Sequence, residues 1–138
     1  MKNESIIIHT DGGSRGNPGP AACAFVAEVG GRILFSSSEF LGKATNNFAE
    51  YSGVLLALKW LESAENKNNN IIFYLDSELV VKQINGLYKV KDENLRKLFF
   101  EVLEYIKKLN LQIVFKNVPR EKNKTADSLV NKELDKQL

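Results

Sequence analysis

The chain has 138 residues, 43% hydrophobic and 26% charged, with a net charge of +2, so one compact domain over residues 1–138 is expected, with enough core to fold without staples. The single cysteine, Cys23, excludes an internal disulfide and points to a reducing, cytoplasmic setting, and the single histidine, His9, excludes a multi-histidine metal site. No apolar run approaches the ~18 residues of a membrane span, and the opening Met1 to Ser5 does not read as a secretion signal. The charge is uneven: residues 1–75 carry −1 and residues 76–138 carry +3. Lys82, Lys89, Lys91, Arg96 and Lys97 form one basic cluster, and Lys116, Arg120, Lys122 and Lys124 a second. Such clusters suit a polyanion partner or solvated helix faces, and charge alone does not choose between them.

In chain order, Ser5 to Asp11 reads as a buried strand ending in the turn Asp11-Gly12-Gly13. Asn17-Pro18-Gly19-Pro20 continues as a loop in which two prolines should forbid regular pairing. Ala21–Val29 and Arg32–Leu41 flank the hairpin signal Gly30-Gly31, and the half-polar second arm suits a sheet edge. The first three strands are therefore expected to form an antiparallel meander. Val54, Ala57 or Leu58, and Leu61 then recur at helical spacing, and the polar stretch Asn66 to Asn70 should end that helix. Ile71–Leu75 is apolar on both alternating faces, as in a central strand. Ser77–Asn85 predicts a short helix stopped by Gly86, and Leu95, Leu98, Phe99, Val102, Ile106 and Leu109 mark a longer one. Leu111–Val118 predicts a last strand, Pro119–Lys124 a polar loop and Thr125–Leu138 a closing helix. Helices alternating with strands imply parallel additions, so the fold class is α/β: a five-stranded mixed sheet with helices on both faces.

Four carboxylates gather in this scheme. Asp11 and Asp76 follow the first and fourth strands, and if those strands run side by side and parallel, both acids emerge at the same sheet edge. Glu50 shares a helix face with Val54, Ala57 and Leu61, and Asp127 with Val130 and Leu134, so both point toward the sheet. Each acid has an ordinary alternative role. Asp11 suits a turn, Glu50 a capping box with Asn47, Asp76 a helix cap, and Asp127 the dipole at a helix start. Together they point elsewhere, because like charges that close stay ionised only when cations intervene. Hard divalent ions with oxygen ligands, Mg²⁺ above all, meet that need, and a pair of them suits phosphodiester hydrolysis.

Asp11-Gly12-Gly13-Ser14-Arg15-Gly16-Asn17-Pro18-Gly19-Pro20, Thr45-Asn46-Asn47-Phe48-Ala49-Glu50, Asp76-Ser77 and Asn123-Lys124-Thr125-Ala126-Asp127-Ser128-Leu129 together resemble type 1 ribonuclease H, in order and spacing and over nearly the whole chain. The resemblance implies the ribonuclease H-like fold with sheet order 3-2-1-4-5. It also implies endonucleolytic hydrolysis of the RNA strand of RNA–DNA hybrids, leaving 5′-phosphate and 3′-hydroxyl ends. Asp11, Glu50, Asp76 and Asp127 match the family's catalytic, metal-binding carboxylates, which hold two Mg²⁺ ions, with Mn²⁺ as substitute. Gly12, Gly13, Ser14, Asn17, Asn46 and Asn47 match positions that read the RNA 2′-hydroxyls, and Thr45 with Asn46 a phosphate-binding corner. The glycines would also let a nucleic-acid backbone approach closely. The first basic cluster would line the outer groove. A monomer acting on the hybrid duplex is the implied working unit.

Three features depart from many members of that family. No long basic insertion separates the second and third helices. The loop Val118-Pro119-Arg120-Glu121-Lys122-Asn123 lacks a histidine and resembles the archaeal-like branch, leaving Arg120 and Glu121 as auxiliary candidates. Glu78 stands where a substrate-contacting glutamine is common. Activity on double-stranded RNA, a catalytically silent hybrid-binding module, and a related fold for DNA strand transfer are the competing readings. The full set of acids argues against the second and the glycine loop against the third. His9 is expected to be a core histidine beneath the site, Cys23 a small core residue, and Trp60, Phe99 and Phe100 packing residues.

Overall fold

A computed structural model describes residues 4–64 and 70–138. Its elements are β1 (Ile6–Ser14), β2 (Gly19–Val29), β3 (Arg32–Ala44), α1 (Asn46–Ser63), β4 (Asn70–Leu75), α2 (Glu78–Ile84), α3 (Glu93–Leu109), β5 (Gln112–Asn117), a 3₁₀ turn (Arg120–Lys122) and α4 (Lys124–Asp135). The sheet has five strands in the order β3-β2-β1-β4-β5. β1, β2 and β3 pair antiparallel, while β4 and β5 add parallel to β1. The meander followed by parallel crossovers is the topology the changing period of the sequence predicts.

Differences fall at the element ends. β1 does not stop at Asp11 but runs to Ser14, opposite Ala21–Ala24 of β2. Gly19 and Pro20 join β2, paired with Ala44 and Lys43, contrary to the expected loop. Pro20 holds its place without an N–H, and its carbonyl accepts from the Arg15 N–H, just past the end of β1, at 2.8 Å. Gly30 and Gly31 both adopt positive φ, 57° and 80°, as a tight two-residue hairpin requires. α1 ends at Ser63, and the proposed stop falls largely on residues 66–69, outside those described; its last member, Asn70, opens β4. α4 ends at Asp135, three residues early.

Ile6, Ile8, Phe25, Ile71, Phe73 and Phe115 of the sheet form the main core with α1, α2 and α3. α1 buries far more than the single stripe expected: Tyr51, Val54, Leu55, Ala57, Leu58 and Leu61 are all covered, because α3 packs over the side that the sheet leaves open. On the opposite sheet face Ala22 and Ala24 meet Val130 and Leu134 of α4. Those small alanines let α4 lie close, with its first turn beside β1. Cys23 is buried, as expected, and Trp60 stacks on Phe35 at 5.7 Å. Phe99 packs edge-on against Tyr51, whereas Phe100 is 54% exposed and is no core residue. Among the described residues no helix is long and apolar enough to cross a membrane.

Candidate active site

The parallel pairing of β1 and β4 is last seen at His9–Tyr74. Two residues further along each strand stand Asp11 and Asp76, where a cleft opens at the carboxyl end of β4. Asp76 does not cap α2, because the Ser77 hydroxyl does so by accepting from Val80 N at 3.3 Å. Nor does Glu50 close a capping box. Thr45 caps α1, its Oγ1 accepting from Phe48 N, and Glu50 Oε1 instead accepts from Gly12 N at 3.3 Å. That reach exists because α1 lies directly on β1. A Cβ on Gly12 would land on the Ala49 carbonyl, and one on Gly53 would stand 2.8 Å from the Asp11 carbonyl oxygen. Helix–strand packing therefore requires that Gly12 carry no side chain, a role the sequence reading did not assign to it. Gly13 keeps open space, its nearest neighbour being Asn46 Oδ1 at 3.9 Å.

As a result Asp11, Glu50 and Asp76 each offer a carboxylate oxygen within 4.8 Å of the others. Asp127, in the first turn of α4, stands outside that grouping but lines the same cavity, of about 420 Å³. Asp11 and Glu50 are 5% and 6% exposed. Burial lifts the Asp11 carboxyl from its ordinary 3.8 to about 7, its bond with Glu50 works against that rise, and the charge of Asp76 adds to it. Burial, then the charge of Asp11, hold the Glu50 carboxyl well above its usual range. Burial also raises Asp76, although the Arg120 guanidinium and a bond from Asn123 oppose the rise. Glu50 Oε2 is buried without a hydrogen-bond partner. Crowded, dry oxygens of this kind retain a proton near neutrality unless a cation takes its place.

The loop after β5 separates the two auxiliary candidates. Arg120 lines the cavity beside Asp76, whereas Glu121 lines a separate crevice with His9, Glu28 and Lys122. His9 is half-buried there, not in the core; its Nδ1 lies 2.9 Å from Asn123 Oδ1 and its Nε2 4.0 Å from Glu28. Asn123 is the residue that sequence reading passed over. Only 1% exposed, it donates from Nδ2 to the Thr10 carbonyl at 2.9 Å and fastens the start of α4 to β1. A polar residue in a polar loop gave no sign of such burial.

Gly12, Gly13, Ser14, Asn46 and Asn47 line the cavity, and Asn17, Thr45, Asn46 and Asn47 continue into a groove between the starts of α1 and α3, which also holds Lys43 and Lys97. Asn46 binds the glycine loop three times: its Oδ1 accepts from Ser14 N at 2.9 Å and from Ser14 Oγ at 3.2 Å, and its N–H donates to Asn17 Oδ1 at 2.9 Å. Lys82, by contrast, is engaged by Glu78 at 2.9 Å, and Arg96 by the Val90 carbonyl at 3.2 Å.

A family model described as reverse transcriptase-like matches residues 9–133. The structure superposes on that of LC11 ribonuclease H1, solved in complex with an RNA/DNA hybrid, with a TM-score of 0.90 and 41% identity over 96% of this chain and 98% of that one. The chain belongs to the type 1 ribonuclease H family. Ribonuclease HI of Halobacterium salinarum is 38% identical over 94% of the chain, which spans 64% of that protein. A bifunctional protein of Mycobacterium tuberculosis is 36% identical, and there the chain spans 35% of the length. Within this family the chain joins α2 to α3 through residues 85–92 alone.

Proposed function

We propose that the chain is an endoribonuclease that hydrolyses the RNA strand of RNA–DNA hybrids, leaving 5′-phosphate and 3′-hydroxyl ends and working as a one-domain monomer in a reducing compartment. The grouping of buried Asp11 and Glu50 with half-buried Asp76, Glu50 Oε2 being unpartnered, carries this reading. Hard oxygen donors and no nitrogen or sulfur suit Mg²⁺, with Mn²⁺ as substitute, and not softer ions. Asp11, Glu50, Asp76 and Asp127 would hold two ions, which supply an activated water and stabilise the leaving oxygen. The chain's own groups do the rest. Gly12 N fixes Glu50 Oε1, while Oε2 is left buried without a partner. Gly13, Ser14, Asn17, Asn46 and Asn47 offer short amides, a hydroxyl and bare backbone to the 2′-hydroxyls of a wide minor groove. Thr45 with Asn46 at the start of α1, beside Lys43 and Lys97, suits a phosphate of the DNA strand. Arg120, which lines the same cavity, would offer a donor to negative charge developing on the scissile phosphate.

A labelled hybrid incubated with and without Mg²⁺ tests this. Cleavage of the RNA strand alone is expected, dependent on metal and lowered ~10²-fold or more by Asp76→Asn. Cleavage indifferent to that substitution refutes the assigned centre, and hybrid binding without cleavage identifies a silent module.

A further inference from the structure

Asp127 is the carboxylate that the close grouping does not include, and α4 itself holds it. Asn131, one turn further on, donates from Nδ2 to the Asp127 backbone carbonyl at 3.2 Å and reaches the Asp127 carboxylate Oδ2 at 3.5 Å. The other end of that amide faces Arg15 in the glycine loop. Arg15 Nη2 lies 3.4 Å from the Asn131 backbone carbonyl and 3.5 Å from Asn131 Oδ1, and is itself held at 2.8 Å by Asp135. Arginine has donors only, so it can meet only the oxygen of the Asn131 amide; the NH₂ group must then face Asp127. Arg15 and Asn131 both line the catalytic cavity. A neutral donor suits this place, since it directs a carboxylate oxygen without bringing positive charge into competition with cations. The loop is thereby tied to both helices that carry acids, to α1 through Asn46 and to α4 through Arg15.

We propose that Asn131, its amide orientation set by Arg15, is the positioning residue for Asp127, directing one carboxylate oxygen and leaving the other for a cation. This rests on the reading of Asp127 as a metal-holding carboxylate. The test compares wild type, Asn131→Ala, Arg15→Ala, the double variant and Asp127→Asn. The readouts are Mn²⁺ binding by calorimetry without nucleic acid, Tm, and steady-state cleavage of a hybrid across a Mg²⁺ series. For Asn131→Ala we expect kcat about 10-fold lower, Mn²⁺ binding weaker by a similar factor, and KM for the hybrid within about twofold. Its Tm should be nearly unchanged, because the bonds lost lie at the surface. Arg15→Ala should move the same quantities in the same direction by less, and the double variant should be no worse than Asn131→Ala, as expected of groups acting in series. Two results overturn the proposal: additive losses in the double variant, or a lowered Tm with Mn²⁺ binding and kcat unchanged. An inactive Asp127→Asn beside a fully active Asn131→Ala overturns the Asn131 link alone, and a fully active Asp127→Asn overturns the reading of Asp127 on which it rests.

Discussion

Arg120 and Glu121 are neighbours in the chain, yet the 3₁₀ turn sends them into two different cavities. Arg120 meets the charge of Asp76 in the acid-lined cavity, and Glu121 lines a separate crevice together with His9. Side chains in such a turn are spaced about a third of a revolution apart, so adjacent residues cannot share a face. Arg120→Ala is therefore expected to lower kcat roughly 10–100-fold while KM for the hybrid changes by less than about threefold, as for loss of a donor to developing charge. Glu121→Ala should stay within about twofold of wild type on both. Steady-state cleavage of a labelled hybrid decides, and equal losses in the two variants would remove the distinction. The loop could be found in the sequence, but which of its residues faces the acids depends on turn geometry that no periodicity encodes. Asn123 escaped notice for a related reason: its burial comes from the Thr10 carbonyl and from His9, more than a hundred residues away.

At the scale of elements, one close approach builds the site. α1 lies on β1 at Gly12 and Gly53, and only that contact brings Glu50 within reach of Asp11. Gly12 and Gly13 look alike in the sequence, two glycines after an acid at the apparent end of a strand. In the structure they are opposites. Gly12→Ala puts a methyl group into the Ala49 carbonyl, where backbone must move, and should cost at least about 3 kcal/mol and nearly all activity. Gly13→Ala meets nothing of the protein closer than 3.9 Å, so its Tm should hold while KM for the hybrid rises, because the methyl occupies space meant for substrate. Thermal melts with paired kinetics separate the two, and a stable, active Gly12→Ala would show that the helix contact does not set the site. Period and turn chemistry were enough to order the elements and place the acids at one edge. They were not enough to show that β1 continues to Ser14 or that α1 is covered on nearly every side. Both depend on partners, β2 and α3, that come later in the chain.

At the scale of the whole molecule, the crowded acids weaken the bare fold. Asp11 ordinarily titrates at 3.8 and here at about 7, and Glu50 and Asp76 are raised as well. Below the unfolded values both states hold these protons and the groups contribute no difference. For Asp11, as pH rises from about 4 to about 7 the unfolded chain releases its proton first and the folded one keeps it, so stability falls through that window and the loss persists above it. The raised Glu50 and Asp76 act in the same direction. This is the reverse of a salt-bridged carboxylate, whose stabilising effect grows with pH. A divalent cation substitutes for the retained protons, so its binding should release protons and stabilise more strongly as pH increases. At pH 8 and about a hundredfold excess over Kd, Mg²⁺ should raise Tm by roughly 5–10 °C, and at pH 5 by much less. Asp11→Asn removes one of the crowded charges, so it should raise the Tm of the metal-free protein at pH 8 while erasing most of the Mg²⁺ shift and all measurable cleavage. Melts at both pH values, with chelator and with Mg²⁺, give all these quantities from one protein preparation. A metal-free Tm that holds steady or climbs between pH 5 and 8, together with no response to Mg²⁺ at either, would mean that the three carboxylates are not held as close, or as dry, as the packing of α1 on β1 requires.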